Sequence, residues 1–247
     1  MVQTPWRERP LTQEEQDLLF MLTVEDDTEE APWMVMGDRQ FWSATNFASM
    51  LHIYAQTHHL PWYVAARLPI RYRRPGEQRK RQVAPDVMVA FVPQRPRDSY
   101  DLQQEGVFPA FVLEVLSQSS VARGTDRKRR LYEALGAQEY VLFAPQPGLL
   151  EPPLQGYRRG ESGRFEALPP DAHGRLWSEV LGLWLVAEGG ALRAVQPDGQ
   201  VLLTHEESEA ARAQEAAARA QEAAARQRAE EELARLRAML EHDRGET

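Results

Sequence analysis

The segment 108–116 constrains the fold of this chain more than any other part of it. Its sequence, Phe-Pro-Ala-Phe-Val-Leu-Glu-Val-Leu, lacks the alternation of polar and apolar residues that a half-buried strand shows. A strand that is apolar on both faces is typical of the centre of a sheet that is covered on both sides. The segment therefore predicts an α/β (or α+β) domain with helices packed on its sheet.

The chain after this strand predicts a mixed sheet. A helix is expected over 125–135, ending at Gly136, and a strand over 139–143. The order strand, helix, strand favours a right-handed crossover between parallel neighbours. Turn signals within 156–204 predict short antiparallel strands that extend or flank this sheet. Upstream, the patterns predict helices over 10–24 and 43–57, a strand over 62–72, a hairpin loop over 73–82 and a strand over 85–92.

The tail differs in kind from the rest of the chain. The heptapeptide Ala-Arg-Ala-Gln-Glu-Ala-Ala occurs at 211–217 and again at 218–224. Alanine favours helix, and Glu–Arg pairs four residues apart stabilise it by about 0.2–0.5 kcal/mol each. We therefore predict two parts, a domain over 1–205 and a long helix over 206–247. A weak coiled coil, which would make a homodimer, and a single solvated helix are both compatible with this pattern.

Composition excludes several classes of protein. With no cysteine there is no disulfide framework, thiolate metal site or cysteine nucleophile. The sequence has no long apolar run and no signal-peptide pattern at 1–20, so we expect a cytoplasmic protein that does not engage a membrane. The net charge of −8 argues against a generally basic nucleic-acid binder.

A dense basic cluster nevertheless lies within the predicted hairpin. Positive charge of this density can bind phosphate even on an acidic protein, although a solvated hairpin tip is an equally good interpretation. The candidate phosphate-binding residues here are Arg73, Arg74, Arg79, Lys80 and Arg81.

Two acidic residues occupy positions where carboxylates are costly. Asp86 follows Pro85 at the start of a predicted strand, and Glu114 lies in the middle of the apolar central strand. An ionised carboxylate buried there costs several kcal/mol unless a cation or several donors compensate it. A buried salt bridge would satisfy this need, and so would a metal ion shared by Glu114 and Asp86.

The helix after Glu114 adds a cation to this group, which fits either a salt bridge or a metal site. Lys128 lies one turn before Leu131, Tyr132 and Leu135 on the same helical face, so it should point back at the sheet. Arg127, Arg129 and Arg130 crowd the same first turn, where the helix dipole disfavours cations unless anions are near. Carboxylates or phosphates would supply such anions.

An aspartate, a glutamate and a lysine at one end of a sheet make a complete set for phosphodiester hydrolysis. Carboxylate oxygens suit Mg²⁺ or Mn²⁺ and leave positions for water and phosphate. The lysine would orient the water or share the charge of the transition state.

The same residues carry a family resemblance. The segments Pro85-Asp86, Glu114-Val-Leu-Ser, Lys128-Arg-Arg-Leu-Tyr132 and Glu139-Tyr140-Val-Leu-Phe-Ala-Pro145 resemble the Uma-two restriction endonucleases, within the PD-(D/E)XK nuclease superfamily. The resemblance covers about residues 10–245.

It implies a restriction-endonuclease-like mixed sheet flanked by helices, and an endonuclease that cuts DNA. It further implies Asp86 and Glu114 as ligands of Mg²⁺ or Mn²⁺. The superfamily lysine is replaced by Leu116 and is supplied in this branch by the next helix, here Lys128. Asn46 stands where the family often has a histidine.

Other sites are weakly supported. His52 and His59 have no cysteine or clear acidic partner for zinc. Ser117, Ser119 and Ser120 lack the nucleophile elbow of serine hydrolases, and no glycine-rich phosphate loop is present. Two rival functions remain, a nuclease fold that binds nucleic acid without cutting it and a module that recruits a partner through its long helix.

Overall fold

The fold is taken from a computed structural model, which describes residues 37–73, 78–118 and 125–245. Within the last helix, side chains are described up to Glu231 and at Leu233. The helix predicted over 10–24 lies outside the described residues.

A six-stranded sheet forms the centre of the domain. Its strands lie in the order β1-β4-β6-β7-β8-β9. Their bounds are β1 Tyr63–Ala66, β4 Val87–Ala90, β6 Phe111–Val115, β7 Glu139–Phe143, β8 Leu154–Arg159 and β9 Phe165–Ala167. All residues of β4, β6 and β7 are buried, as the apolar sequence of the central strand predicts.

The sheet is mixed, which confirms the predicted fold class. Strands β6 and β7 pair in parallel with Val112 opposite Tyr140, and helix α3, Thr125–Leu135, connects them. The other neighbours in the sheet pair antiparallel. The predicted bounds of α3 and β7 match the structure.

Different elements cover the two faces of the sheet. Helix α1, Asp38–Thr57, places Phe47, Met50 and Leu51 in one core with Phe111 and Leu113. The same core includes residues of a second sheet, formed by β10 Leu176–Ser178, β11 Leu183–Glu188 and β12 Ala191–Val195. On the opposite face, Tyr132 of α3 packs with Val112, Tyr140 and Leu142.

The region predicted as one strand over 62–72 is two strands in different sheets, so that prediction is wrong. Strand β2, Ile70–Tyr72, leaves the central sheet and pairs with β3, Arg81–Val83, and with β5, Tyr100–Asp101. The break falls at Arg67, whose φ of 54° does not fit an extended strand. A short helix, α2 Leu102–Glu105, follows β5.

A buried carboxylate joins the central sheet to the β10–β12 sheet. Glu139 of β7 is fully buried and accepts hydrogen bonds from Arg158 Nε at 2.9 Å and from the Ser178 hydroxyl. The backbone N–H of Glu179 donates to the same carboxylate at 2.9 Å. Three donors compensate the buried charge, so Glu139 has a structural role.

Helix α4, His205–Gly245, is the long helix that the tail predicts. It begins with a reciprocal cap, in which Thr204 Oγ1 accepts from the Glu207 N–H and the Glu207 carboxylate accepts from the Thr204 N–H. The chain divides into one compact unit up to Leu202 and a second from Leu203 onward. Among the described helices, none is long and apolar enough to cross a bilayer.

Candidate active site

The pairing of β4 with β6 brings two acidic residues together. Val87 lies opposite Leu113 in this antiparallel pair, so Asp86, just before β4, lies beside Glu114. Alternation along the strands puts both carboxylates on the face that α3 covers. Asp86 is 7% exposed and Glu114 is 5% exposed. Two buried acids side by side need compensation from neighbouring groups.

Each oxygen of Glu114 has its own donor. Lys128 Nζ lies 2.7 Å from Oε2, and the Tyr132 hydroxyl donates to Oε1, also at 2.7 Å. Both donors come from α3, where their spacing of four residues puts them on one helical face. Burial and the nearby Glu114 raise the pKa of Tyr132 well above its ordinary value, so the phenol keeps its proton.

Asp86 is held differently. Its Oδ2 accepts from the Val115 backbone N–H at 2.8 Å and lies 3.4 Å from Gln40 Nε2. Burial, followed by repulsion from Glu114, raises the pKa of Asp86 from 3.8 to about 7, although Lys128 and the two donors oppose the shift. A carboxyl with such a pKa is readily ionised when a cation arrives beside it.

Lys128 is one of very few lysines in a chain whose other basic residues are arginines. Of the 29 basic residues, only Lys80 and Lys128 are lysines. A compact ammonium fits a single carboxylate oxygen, whereas a guanidinium presents a planar fork. Lys128 therefore suits the single oxygen of Glu114 that it contacts.

Gln40 is a residue that the sequence reasoning missed. Its amide donates to the Val115 carbonyl at 2.8 Å and reaches Asp86 from α1. The helix was predicted to begin near residue 43, but it begins at Asp38, so the turn that carries Gln40 was left out. Asn46, the position suggested by the resemblance, is exposed. A polar residue one turn before Ala44 on the buried face was the available signal.

The donor set fits a divalent cation. Asp86 and Glu114 supply hard carboxylate oxygens, and no described residue donates a hydrogen bond to Asp86 Oδ1. The described part of the chain contains no group of three or more histidine, aspartate or glutamate side chains placed to hold a metal. A cation here would therefore keep several water ligands, as Mg²⁺ does in sites with two carboxylates.

A cleft opens at this end of the sheet. It has a volume of about 550 Å³ and is lined by the start of α1 (37–40), by Leu116 and Ser117 after β6, and by 145–147 after β7. Gln40 belongs both to the cleft wall and to the carboxylate cluster. Through Gln40 the cleft borders the acidic cluster, although neither carboxylate lines it.

The predicted phosphate-binding residues lie on the β2–β3 hairpin and on α3. Strand β2 packs on α3, where Tyr72 contacts Leu131 and Ala134. Arg73 is exposed beside the β2–β3 loop, while Arg74 lies outside the described residues. Lys80 pairs with Asp101, and Arg129 pairs with Asp126 at 3.0 Å and lies 4.7 Å from the Tyr157 ring. Arg79, Arg81 and Arg127 also have partners, and Arg130 is exposed.

Comparison with known proteins identifies a family. The family model Uma2, described as putative restriction endonuclease, matches residues 24–188. A solved structure of a putative nuclease from Anabaena variabilis is similar to this chain, with 15% identity and a TM-score of 0.39 over 56% of this chain and 72% of that one. No curated protein matches the sequence.

Proposed function

We infer the function from one premise, that the chain belongs to the Uma2 family, described as putative restriction endonucleases. We propose that it hydrolyses phosphodiester bonds in DNA with the help of Mg²⁺ or Mn²⁺. One observation carries this proposal: two buried carboxylates, Asp86 and Glu114, meet a lysine at the end of the central sheet. Such a set is costly for stability, and chemistry that needs a cation would account for it.

In this proposal Asp86 and Glu114 hold the metal. When bound, the metal would polarise the phosphate and lower the pKa of a bound water. Lys128 presents its ammonium beside Glu114, where it can orient the attacking water and offset negative charge on the phosphate. Gln40 keeps Asp86 and the end of β6 in place through its two contacts.

We propose that the DNA backbone is bound by the basic residues of the β2–β3 hairpin and of the first turn of α3. Strand β2, which leads into the hairpin, packs on α3 through Tyr72, so the two sets of charges can act on one duplex or strand. Local positive charge of this kind can attract phosphate although the chain carries a net charge of −8.

Lys128→Met is expected to lower DNA cleavage by about 10²- to 10³-fold, the usual cost of losing one charge-stabilising donor. Methionine keeps the length of the aliphatic part of the side chain and removes the ammonium. The measurement is cleavage of plasmid and single-stranded DNA with Mg²⁺ or Mn²⁺, together with metal affinity, which the variant should retain because the carboxylates remain.

Lys80→Met is the matched comparison because it removes the other lysine of the chain. Because Lys80 also pairs with Asp101, we expect this variant to melt at a lower temperature and to bind DNA less tightly, while cleavage at saturating DNA persists. If Lys128→Met cleaved DNA at the wild-type rate, a catalytic role of Lys128 would be excluded. DNA binding by the wild type without any cleavage would favour a nuclease fold that binds without cutting.

We further propose that α4 forms a homodimer through a coiled coil. Its side chains between 209 and 231 are exposed and therefore accessible to a second copy, and the ion pairs Glu215–Arg219 and Glu222–Arg226 stabilise the helix itself. Truncation after residue 205 should then convert a dimer into a monomer in analytical ultracentrifugation. A monomeric full-length chain at high concentration would instead indicate a single solvated helix.

A further inference from the structure

The two oxygens of the Glu114 carboxylate differ in their surroundings. Oε1 accepts from the hydroxyl of Tyr132, which is fully buried, whereas Oε2 faces Lys128, whose side chain is 43% exposed. The oxygen bound to Tyr132 therefore lies on the closed side of the site. The oxygen bound to Lys128 lies on the side that a solvated ion can reach.

Tyr132 is held firmly in this position. Its ring packs against Phe108 and Tyr140, with centroids 6.1 Å and 5.5 Å away. A phenol has one O–H to donate, and the 2.7 Å distance to Glu114 shows where it goes. Because the ring cannot swing away without opening the core, Oε1 stays hydrogen-bonded while Oε2 can exchange its partner.

We propose that Tyr132 is a positioning residue that keeps Oε1 of Glu114 out of metal coordination and so makes the site prefer Mg²⁺ to Ca²⁺. This inference rests on the proposed metal site. Mg²⁺ demands near-octahedral geometry with short bonds and takes carboxylates through one oxygen. Ca²⁺ takes six to eight oxygens and accepts carboxylates through both. A glutamate restricted to one oxygen therefore favours the smaller ion.

A purely structural role for Tyr132 predicts a different result. If the hydroxyl only compensates a buried carboxylate, its removal should lower the stability of the fold or lower the affinities for both ions by the same factor. The ratio of the Ca²⁺ affinity to the Mg²⁺ affinity would then stay constant. This ratio separates the two roles, since it does not depend on overall stability or on cleavage.

The test compares the wild type with Tyr132→Phe in the full-length chain. We expect the variant to raise the ratio of Ca²⁺ to Mg²⁺ affinity by about tenfold, which corresponds to 1.4 kcal/mol. Affinities would be measured by isothermal titration calorimetry with each metal alone. Tyr140→Phe is the matched control, because this neighbouring tyrosine is also buried but its hydroxyl has no hydrogen-bond partner among the described residues. Its ratio should equal that of the wild type.

An unchanged ratio in Tyr132→Phe, with both ions still bound, would overturn this inference and leave the proposed metal site intact. A wild type that binds no divalent cation would overturn both. If Tyr132→Phe fails to fold, infrared difference spectra of the wild type provide the second measurement. On adding Mg²⁺, the separation between the antisymmetric and symmetric carboxylate stretches should widen, as it does for coordination through one oxygen. A narrowed separation, which indicates coordination through both oxygens, would overturn the inference.

Discussion

Glu114→Gln should abolish metal-dependent DNA cleavage while leaving the protein folded. Glutamine keeps the shape of the side chain and can still accept the hydrogen bond from Tyr132, but it loses the charge that Lys128 and a cation require. A bound metal contributes several kcal/mol to such reactions, so the expected loss is at least about 10³-fold. Divalent-cation affinity, measured by calorimetry, should fall together with cleavage.

Glu139→Gln is the matched control for this prediction. Glu139 is also a buried glutamate, on the adjacent strand β7, but it pairs with Arg158 and Ser178, which link it to the β10–β12 sheet. Its substitution should lower the melting temperature and leave metal affinity unchanged. If Glu114→Gln bound and cleaved as the wild type does, the carboxylate of Glu114 would have no part in the site. Loss of metal affinity in both variants would indicate a global effect of unfolding.

Asp86→Asn should stabilise the metal-free protein at pH 8 and have little effect at pH 4. Burial raises the pKa of Asp86 in the folded protein from 3.8 to about 7, so between these values the folded state holds a proton that the unfolded state has released. The free energy of unfolding of the wild type therefore falls as the pH rises from about 4 to 7. At about 1.4 kcal/mol per pKa unit, the gain from asparagine is on the order of a few kcal/mol.

Divalent metal should reverse this difference above pH 7, because it stabilises only the wild type. The measurement is urea unfolding at pH 4 and pH 8, with and without Mg²⁺. Asp101→Asn is a control with the opposite sign, since Lys80 lowers the pKa of Asp101, another buried aspartate. That variant should be less stable than the wild type at pH 8, and the difference should shrink as the pH falls through the lowered pKa. A destabilised Asp86→Asn at pH 8 without metal would contradict the prediction.

Local sequence patterns predicted the elements nearest the site well. The bounds of α3 and β7 follow from helical periodicity, the glycine after Leu135 and a short apolar run. Helical spacing also placed Lys128 on the face of α3 that turns to the sheet, where its ammonium lies 2.7 Å from Glu114. These features depend on residues close together in the chain, which is why sequence reasoning reached them.

Long-range pairing explains what sequence reasoning missed. Nothing local to 62–72 shows that β1 pairs with β4 while β2 pairs with β3 and β5. Gln40 was missed because its partners, Asp86 and Val115, lie 46 and 75 residues away. Tyr132 was read as a core residue, since helical periodicity cannot show that its hydroxyl meets Glu114.

By itself, the sequence determined that a buried central strand carries an acidic residue and that the following helix aims a lysine at it. It also determined that the tail is a long helix, because helix propensity and Glu–Arg spacing are local properties. Only the tertiary structure decided which oxygen of Glu114 faces Tyr132 and which faces Lys128, and that Asp86 is held by Val115 and Gln40. The physical reason is that hydrogen bonds and desolvation act on groups brought together by sheet register, which the order of residues within one segment does not specify.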